Sequence, residues 1–318
     1  MDKRLYLVTG GAGFIGSHIC ERLLNDGHRV RVLDNFSTGK EENLRFEGGE
    51  VELIRGDIRN VETVRRAVKG AEIVFHEAAL GSVPRSVDDP VSTHEINITG
   101  TLNVLLAARD LGVRRVVFAS SSSVYGDTPV LPKSEELRPG PLSPYALSKL
   151  AAEQYCLVFH HVYGLETVAL RYFNIFGPRQ DPQSEYAAVV PKFATAIIAG
   201  EQPVIYGDGH QSRDFTYVAN VVEANLLASE AQGAAGTFCN IACGGRYDLI
   251  QLLDGIKKMA GSDIQPRFEP MRTGDVRDSQ ASIDKARETI GYKVVVDFAE
   301  GLRRTVDWYQ GHARNNLA

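Results

Sequence analysis

Cysteine is scarce in this sequence, and its spacing indicates neither disulfides nor bound metal. The 318 residues include 4 cysteines, at Cys20, Cys156, Cys239 and Cys243. Cys239 and Cys243 lie four positions apart, which is not the C-x-x-C spacing typical of zinc and redox sites. The 8 histidines show no H-E-x-x-H or other ligand spacing. We therefore expect buried free thiols in a reducing compartment, no disulfide framework and no metal site.

Strong charge and long apolar runs are also missing. The formal net charge is −5, so the chain carries no basic footprint for nucleic acid or an anionic membrane. No apolar run approaches the ~18 residues of a membrane span, and the first residues do not resemble a signal peptide. The match of Asn97-Ile98-Thr99 to a glycosylation acceptor is empty in such a chain. We expect a cytoplasmic protein with no nucleic-acid partner and no membrane partner.

Apolar runs alternate with helical patterns through the first half of the chain. Helices are predicted after the first strand to about residue 24, from an Asn60 cap, over 93–111, and from Ser143 through SPYALSK. Strands are predicted at 5–9, 29–33, 52–54, 73–75, 115–119 and 167–171. Near-continuous apolar strands alternating with helices indicate a parallel sheet covered on both faces. The predicted fold class is α/β, a Rossmann-type doubly wound parallel sheet.

The pattern changes after residue 173. Pro178, Pro182, Pro191 and Pro203 divide the next segment into short pieces, with a short helix predicted at 191–199. A helix at 220–229 and a strand at 237–241 fit one further unit of the first sheet, and a closing helix is predicted at 300–309. We therefore expect a dinucleotide-binding domain formed by 1–173 with 216–243. A smaller mixed C-terminal lobe, formed by 174–215 with 244–318, is expected to bind the substrate.

A glycine-rich turn follows the first predicted strand. Gly10, Gly13 and Gly16 have the spacing G-x-x-G-x-x-G, which lets the backbone approach a pyrophosphate at the start of a helix. Asp34 ends the second strand, where a carboxylate accepts hydrogen bonds from a ribose hydroxyl and repels a 2′-phosphate, favouring NAD over NADP. Asp57 and Ile58 are placed to contact adenine. A tight turn at the glycines, and a loop cap at Asp34, remain the alternatives.

Tyr145 and Lys149 are four residues apart in SPYALSK, so they share one face of the predicted helix. A cation beside a phenol lowers the pKa of the phenol from its usual value near 10, and bound NAD⁺ acts in the same direction. Tyr145 then becomes a base for an alcohol whose carbon loses hydride. The serine run 120–123 follows a buried strand and supplies a hydroxyl partner. An ordinary amphipathic helix and a serine-rich loop are the alternatives.

Together these segments resemble the extended short-chain dehydrogenase/reductase family, over nearly the whole chain. Within that family the sequence is similar to the UDP-hexose 4-epimerases, above all those that act on N-acetylated sugars. The segments that carry the resemblance are TGGAGFIG, HEAALGSVPRS, SSSSVYGD, SPYALSK, LRYFNIFGPRQDP, YAAVVPKF and GDGHQSRDFTYV.

The resemblance implies C4 epimerisation of a UDP-hexose through a transient 4-keto sugar, with tightly bound NAD regenerated in each cycle. Tyr145 takes the proton of the 4-hydroxyl, Ser121 is its partner, Ser122 assists, and Lys149 holds the nicotinamide ribose. The implied cofactor-binding positions are Gly10, Gly13, Phe14, Ile15, Gly16, Asp34, Asn35, Ser37, Thr38, Gly39, Asp57, Ile58, Ala78, Ala79, Leu80, Asn97, Tyr145, Lys149 and Tyr172. The implied substrate-binding positions are Gly81, Ser82, Val83, Ser121, Ser123, Asn174, Ala188, Val189, Lys192, Tyr206, Arg213, Arg272, Asp275 and Ser279.

The resemblance also bears on the choice of sugar. Ser279 matches a gate position at which a tyrosine crowds the C2 side of the sugar, so a serine leaves space for an acetamido group. Gly81, Ser82 and Val83 line the same region. We expect UDP-GlcNAc and UDP-GalNAc as substrates, and UDP-glucose and UDP-galactose as well, because a small gate does not exclude them.

Related activities fit less well. The 4,6-dehydratases use an Asp-Glu pair, and UDP-glucuronate decarboxylases a glutamate, where this chain has Ser122 and Ser123. UDP-glucuronate 4-epimerases tend to have an arginine where Asp181 stands, and a carboxylate there repels the sugar carboxylate. A non-catalytic NAD-binding sensor is the alternative from another class. The resemblance finally implies a homodimer through the helix at 93–111 and the Tyr145 helix.

Overall fold

The structure is a computed structural model, and it describes residues 3–182, 188–270 and 277–315. Arg272 and Asp275, both predicted to bind substrate, lie outside the described residues. The strands are β1 (Leu5–Thr9), β2 (Arg29–Asp34), β3 (Glu52–Arg55), β4 (Ile73–His76), β5 (Arg115–Ser121), β6 (Glu166–Tyr172), β7 (Ile175–Phe176), β8 (Val204–Tyr206), β9 (Ser212–Arg213), β10 (Thr216–Tyr217), β11 (Thr237–Ile241), β12 (Tyr247–Asp248) and β13 (Arg267–Glu269). The helices are α1 (Phe14–Asn25), α2 (Val61–Val68), α3 (Val83–Asp88), α4 (Pro90–His94), α5 (Thr101–Asp110), α6 (Pro144–Tyr163), α7 (Val189–Ile198), α8 (Val218–Glu230), α9 (Leu249–Ala260), α10 (Asp284–Ile290) and α11 (Phe298–Asn315).

Seven strands form one parallel sheet, as predicted. Their order is β11-β6-β5-β4-β1-β2-β3, and every pairing in this sheet is parallel. The order reverses between β1 and β4, so loops from both halves meet at the carboxyl ends of these strands. A crevice at such a switch point is where doubly wound sheets bind ligands.

Hydrophobic side chains cover both faces of this sheet. On one face the core includes Ile19, Phe75 and Leu170, and on the other Leu7, Val104 and Phe118. Because successive residues of a strand point to opposite faces, each buried strand contributes to both cores. This arrangement fixes the strand ends and the chemistry-bearing residues that follow them.

The helix starts agree with their sequence signals. Ser143 caps α6, since its side chain accepts a hydrogen bond from the N–H of Ala146, and Pro144 is the first helical residue. Asn60 caps α2 by accepting from the N–H of Thr63. The Ser143 cap fixes the start of α6 two residues before Tyr145.

The single long helix predicted for 93–111 is divided in the structure. α4 ends at His94, a π-helical segment covers Glu95–Gly100, and α5 begins at Thr101. Two side chains account for this break. Asn97 is bonded to the backbone of Leu80, and Thr101 donates to the Asn97 carbonyl. Tertiary hydrogen bonds therefore change the helical register at a point that hydrophobic periodicity does not reveal.

The smaller lobe has its own core. Phe176, Phe193, Phe215 and Leu252 belong to a separate hydrophobic cluster around which the short two-stranded sheets lie. We propose the predicted division of the chain for the domains, with one addition. The segment containing α10 packs its apolar residues, such as Ile290, into a core of the large sheet.

Two further features concern only the described parts of the chain. No helix there combines the length and the apolar character needed to cross a bilayer. Nor does that part of the chain bring three or more His, Cys, Asp or Glu side chains together in a way that suits a metal ion.

Candidate active site

The glycine turn between β1 and α1 packs backbone against backbone. Gly10 has φ +70°, and a Cβ there would lie 2.8 Å from the Cα of Ala78. A Cβ on Gly16 would lie 2.3 Å from the carbonyl oxygen of Gly10. Side chains are therefore excluded by contact at both positions. The first N–H groups of α1, which begins at Phe14, have no partner within the helix and face this turn as an anion site.

Asp34 is held at the end of β2 by two backbone donors. Its Oδ2 accepts from the N–H of Ala12 at 2.9 Å, and its Oδ1 accepts from the N–H of Phe36 at 2.8 Å. Burial raises the pKa of Asp34, and the two backbone hydrogen bonds oppose that rise. The carboxylate is fixed in direction, and its remaining lone pairs are available to ribose hydroxyls. Asp34 thus caps the loop and also faces the cavity.

A cavity of about 730 Å³ extends from this turn along the carboxyl ends of the strands. Most of the predicted cofactor-binding residues line it. Those that do so are Gly10, Gly13, Phe14, Ile15, Gly16, Asp34, Asn35, Ser37, Thr38, Asp57, Ile58, Ala78, Ala79, Leu80, Tyr145, Lys149 and Tyr172. The hydrogen bond from Arg59 is the main cause of a lowered pKa at Asp57, and the two side chains form an ion pair.

Two predicted cofactor residues stand behind the cavity wall. Asn97 is 2% exposed and bonds both the N–H and the carbonyl of Leu80, so it orients a lining residue. Gly39 packs against Ala12, and a Cβ there would lie 2.9 Å from Ala12. Neither belongs to the described lining of the cavity. In the structure these two residues support the wall.

Tyr145 and Ser121 meet at the wall of the cavity. Their side chains are hydrogen-bonded, and Ser121 lies at the end of β5. The Ser121 Oγ accepts from the N–H and the hydroxyl of Ser123, at 3.2 and 2.9 Å. With both lone pairs used, the Ser121 proton is directed to the phenol oxygen, which favours the phenolate. Ser123 thereby orients Ser121, and its predicted contact with substrate stays a prediction.

Lys149 lies one helical turn after Tyr145 and is 4% exposed. Its Nζ donates to the carbonyl of Ala119 at 2.7 Å. We expected Lys149 to lower the pKa of Tyr145, but the structure shows the pKa of Tyr145 raised. Burial of the phenol is the larger effect and outweighs the hydrogen bond from Ser121. Burial by the protein therefore favours the neutral phenol at Tyr145.

A second cavity of about 520 Å³ adjoins the first. Asn174, Ile175 and Ala188 line both, so the two spaces meet there. The predicted substrate residues that line the second cavity are Asn174, Ala188, Val189, Lys192, Tyr206 and Arg213. The Nη1 of Arg213 donates to the carbonyls of Ser212 and Arg277, which hold the guanidinium in place.

The residues predicted to surround the sugar are only partly brought together. Gly81 and Ser122 line the first cavity. Ser82 caps α3 and Val83 is 40% exposed, and neither is in the described lining. Ser279 is buried, donates its N–H to the Ser212 carbonyl and is likewise outside the described linings. Its role as a gate stays a prediction from the resemblance.

The sequence-based prediction missed several lining residues. Among them are Glu77, Lys40 and Arg179. Glu77 directly follows β4, and site residues in parallel sheets are found at the carboxyl ends of strands. Its position in the sequence could therefore have identified it as a site residue. Lys40 and Arg179 lie in loops that become neighbours only on folding. Asp181 also lines the cavity, with the Nζ of Lys40 3.5 Å from its carboxylate.

The first cavity fits a dinucleotide with an unphosphorylated ribose. The close backbone contacts at Gly10 and Gly16 leave a turn without side chains, where a pyrophosphate can approach the start of α1. The oriented carboxylate of Asp34 suits ribose hydroxyls. Tyr145 and Lys149 line the same cavity further along the strand ends.

The family model of the NAD dependent epimerase/dehydratase family matches residues 6–242. The chain belongs to this family. It is therefore an NAD-dependent enzyme of the epimerase/dehydratase kind. The fold agrees with this family, because solved epimerase structures superimpose on nearly the whole chain.

Several known family members are similar over their whole length. The UDP-glucose 4-epimerase of Mycolicibacterium smegmatis is 40% identical over 97% of this chain and 99% of its own length. The structure of a UDP-N-acetylglucosamine 4-epimerase from Methanobrevibacter ruminantium, in complex with UDP-N-acetylmuramic acid, is 42% identical, covers 98% of this chain and 100% of its own, and has a TM-score of 0.93. The Thermus thermophilus UDP-glucose 4-epimerase in complex with NAD is 41% identical, covers 96% and 99%, and has a TM-score of 0.87.

Relatives with another activity are also found in this family. UDP-glucuronic acid decarboxylase 1 of Xenopus tropicalis is 35% identical over 99% of this chain and 75% of its own length. Similarity thus shows the family and its dependence on NAD. The choice among its reactions rests on the residues of the site.

Proposed function

We propose that this enzyme interconverts the C4 epimers of a UDP-hexose, with UDP-GlcNAc/UDP-GalNAc as substrates and UDP-glucose/UDP-galactose accepted as well. The observation that carries the proposal is the junction of the two cavities. The Tyr145, Ser121 and Lys149 set lines the first, and the predicted UDP-binding residues, among them Arg213, line the second. A sugar joined to a diphosphate held in the second cavity then reaches Tyr145.

The proposed UDP site combines charge with apolar walls. Arg213 and Lys192 supply cations that suit a diphosphate, and Phe193 and Phe215 line the same cavity. The sugar end, in contrast, meets small side chains such as Gly81 and Ser122. Firm binding of the nucleotide with a loosely held sugar is what an epimerase requires, since the sugar must present both faces to one cofactor.

Tyr145 is proposed to hold the transferred proton. Bound NAD supplies reversible acceptance of hydride, which makes the C4 alcohol a transient ketone. The phenolate oxygen of Tyr145 accepts the proton of the 4-hydroxyl and returns it after the sugar has turned. Ser121 stabilises the phenolate by donating its proton, and Lys149 contributes positive charge to the same wall. Burial raises the pKa of Tyr145, and the positive charge of NAD⁺ bound in this cavity would oppose that rise.

The site also supports a ranking of the alternatives. In the decarboxylases and dehydratases that this chain resembles less, a carboxyl stands where Ser122 lines the cavity here. UDP-glucuronate 4-epimerisation ranks second, because Asp181 lines the cavity and repels a sugar carboxylate.

The test is an NMR time course with the purified enzyme and no added NAD, offering UDP-GlcNAc, UDP-glucose and UDP-glucuronate separately. Formation of UDP-GalNAc from UDP-GlcNAc is the expected result, and turnover without added NAD indicates that the cofactor stays bound. Turnover of UDP-glucuronate alone would contradict the proposed sugar. Bound NAD with no turnover of any UDP-sugar would favour the sensor.

A further inference from the structure

Glu77 brings a carboxyl group into the cofactor cavity from the end of β4. Its Oε1 accepts the hydroxyl proton of Tyr172 at 2.9 Å. The Tyr172 oxygen in turn accepts from the Nδ2 of Asn225 at 2.7 Å, so the phenol is fixed from α8. These two hydrogen bonds fix the Glu77 carboxyl in the cavity wall. The mechanism proposed for the reaction gives this carboxyl no role.

Glu77 and Lys149 line the same cavity and come from neighbouring elements of the fold. β4 and β5 pair His76 with Phe118, so Glu77 and Ala119 occupy the next position on neighbouring strands. Ala119 is the residue whose carbonyl accepts from the Lys149 Nζ. The charges of Glu77 and Lys149 act on each other. An anion and a cation thus belong to the cavity wall that also contains Tyr145.

Both groups change their ionisation near neutral pH. Burial raises the pKa of Glu77 to about 7, although the hydrogen bond from Tyr172 and the charge of Lys149 oppose this. Burial lowers the pKa of Lys149 to about 8, and the charge of Glu77 opposes that shift. Removal of the carboxylate charge therefore lets the pKa of Lys149 fall further.

Three titratable groups near the pair are uncharged near neutrality, while the buried carboxylate of Glu153, one turn after Lys149 on α6, is bonded to Arg171. Burial lowers the pKa of His76 to about 3, so this imidazole is neutral between Thr9 and Thr101. Burial raises the pKa of Tyr172 and of the Cys156 thiol on α6. Glu77 is therefore the anion that compensates Lys149 on this wall.

We propose that Glu77 is a positioning residue for the epimerase reaction, whose carboxylate keeps Lys149 in the ammonium form beside Tyr145. The proposal deepens the proposed function and rests on it for its effect on turnover. The electrostatic coupling itself is a property of the folded chain and is measured without turnover.

The first experiment follows the Glu77 carboxyl carbon by NMR in the full chain saturated with NAD and labelled with [δ-¹³C]glutamate. Glu77→Gln assigns the signal by its loss. Because the Lys149 ammonium lowers the pKa of Glu77, Lys149→Met is expected to raise the midpoint of this titration by about 1 pH unit. An unchanged midpoint would overturn the proposal, whatever the enzyme proves to epimerise.

The second experiment compares pH profiles of kcat. Glu77→Gln keeps an oxygen that accepts from Tyr172 but removes the charge, so Lys149 loses its proton at lower pH. The alkaline limb of the profile is expected to move down by about 1 pH unit. Glu72 lies just before β4 and is paired with Arg4 and Arg114. Glu72→Gln is the matched control, and its pH profile is expected to be unchanged. A uniformly lower rate with an unmoved limb would show a merely structural role and refute the proposal.

Discussion

Glu153 on α6 and Arg171 on β6 form an ion pair 2.6 Å long, with side chains 0% and 1% exposed. The second oxygen of Glu153 accepts from the Nε of Arg171 and from the hydroxyl of Ser120. Ser120 precedes Ser121, and Glu153 lies one helical turn after Lys149. The ion pair therefore ties the helix that carries Tyr145 to β6, and the bond from Ser120 ties it to β5, which carries Ser121.

Breaking this pair is expected to cost much stability. Glu153→Gln leaves a buried guanidinium without a countercharge, so we expect the free energy of unfolding to fall by about 3–5 kcal/mol. Urea denaturation followed by circular dichroism measures the change. The control is Glu230→Gln, a half-exposed carboxylate paired with Arg4, where we expect a far smaller loss. Equal losses in both variants would contradict the importance of burial.

Tyr145→Phe removes the proposed base and leaves the ring in place. We expect NAD binding to persist and turnover to fall by about 100-fold or more, in the range of general-base effects. Rates with UDP-GlcNAc and bound NAD determined on the same samples give the answer. Tyr155→Phe, on the same helix and 37% exposed, is the matched control. Turnover near the unmodified level in Tyr145→Phe would refute the base.

Asp34→Asn tests the preference for NAD. The amide retains one oxygen as an acceptor, but its NH2 group cannot accept from a ribose hydroxyl or from the second backbone N–H, so NAD affinity is expected to fall by about 10-fold, or about 1.4 kcal/mol. The negative charge that repels a 2′-phosphate is also lost. The ratio of NAD affinity to NADP affinity is expected to become smaller at the same time. Calorimetric titration of both nucleotides into nucleotide-free enzyme measures both effects. Asp26→Asn at the exposed end of α1 serves as control. A preserved NAD/NADP ratio would show that Asp34 is only a loop cap.

Arg213→Lys tests the proposed diphosphate site. Lysine keeps the charge but not the paired donors, so KM for the UDP-sugar is expected to rise by about 10-fold or more while kcat changes less. Steady-state kinetics separate the two constants. Arg267→Lys, with its side chain 62% exposed beside Glu269, is the comparison variant. An unchanged KM in Arg213→Lys would place the diphosphate elsewhere.

We propose a homodimer formed through an apolar face on α3, α4 and α6. Val87, Val91, Leu147, Val158 and Val162 on these helices are 48–65% exposed. The sequence-based prediction named the helix at 93–111, but Val104 and Leu105 of α5 are fully buried. Beside α6, the proposed dimer interface is therefore formed by the shorter helices α3 and α4, which pack against α6.

Val158→Glu is expected to give a monomer in sedimentation velocity, because it places a charge in the centre of this face. Val61→Glu at the start of α2, where Val61 is 50% exposed, is the control that keeps the dimer. A monomer of the unmodified chain in dilute solution would remove the dimer proposal.

The sequence by itself determined the sheet, the glycine turn and the Tyr145 helix, because each depends on local patterns. Continuous apolar strands, glycine spacing and a serine cap with a following proline act within a few residues of the chain. For the same reason Asp34, Tyr145 and Lys149 were found from spacing alone and line one cavity in the structure.

Only the tertiary structure decided what depends on long-range contacts. The break at Glu95–Gly100 follows from bonds between Asn97 and Leu80, seventeen residues away in sequence. Burial raises the pKa of Tyr145. The negative charge that acts on Lys149 is that of Glu77, which follows β4 and is distant in sequence. Burial and electrostatic partners are sums over distant segments, so they have no signature in any one stretch of residues.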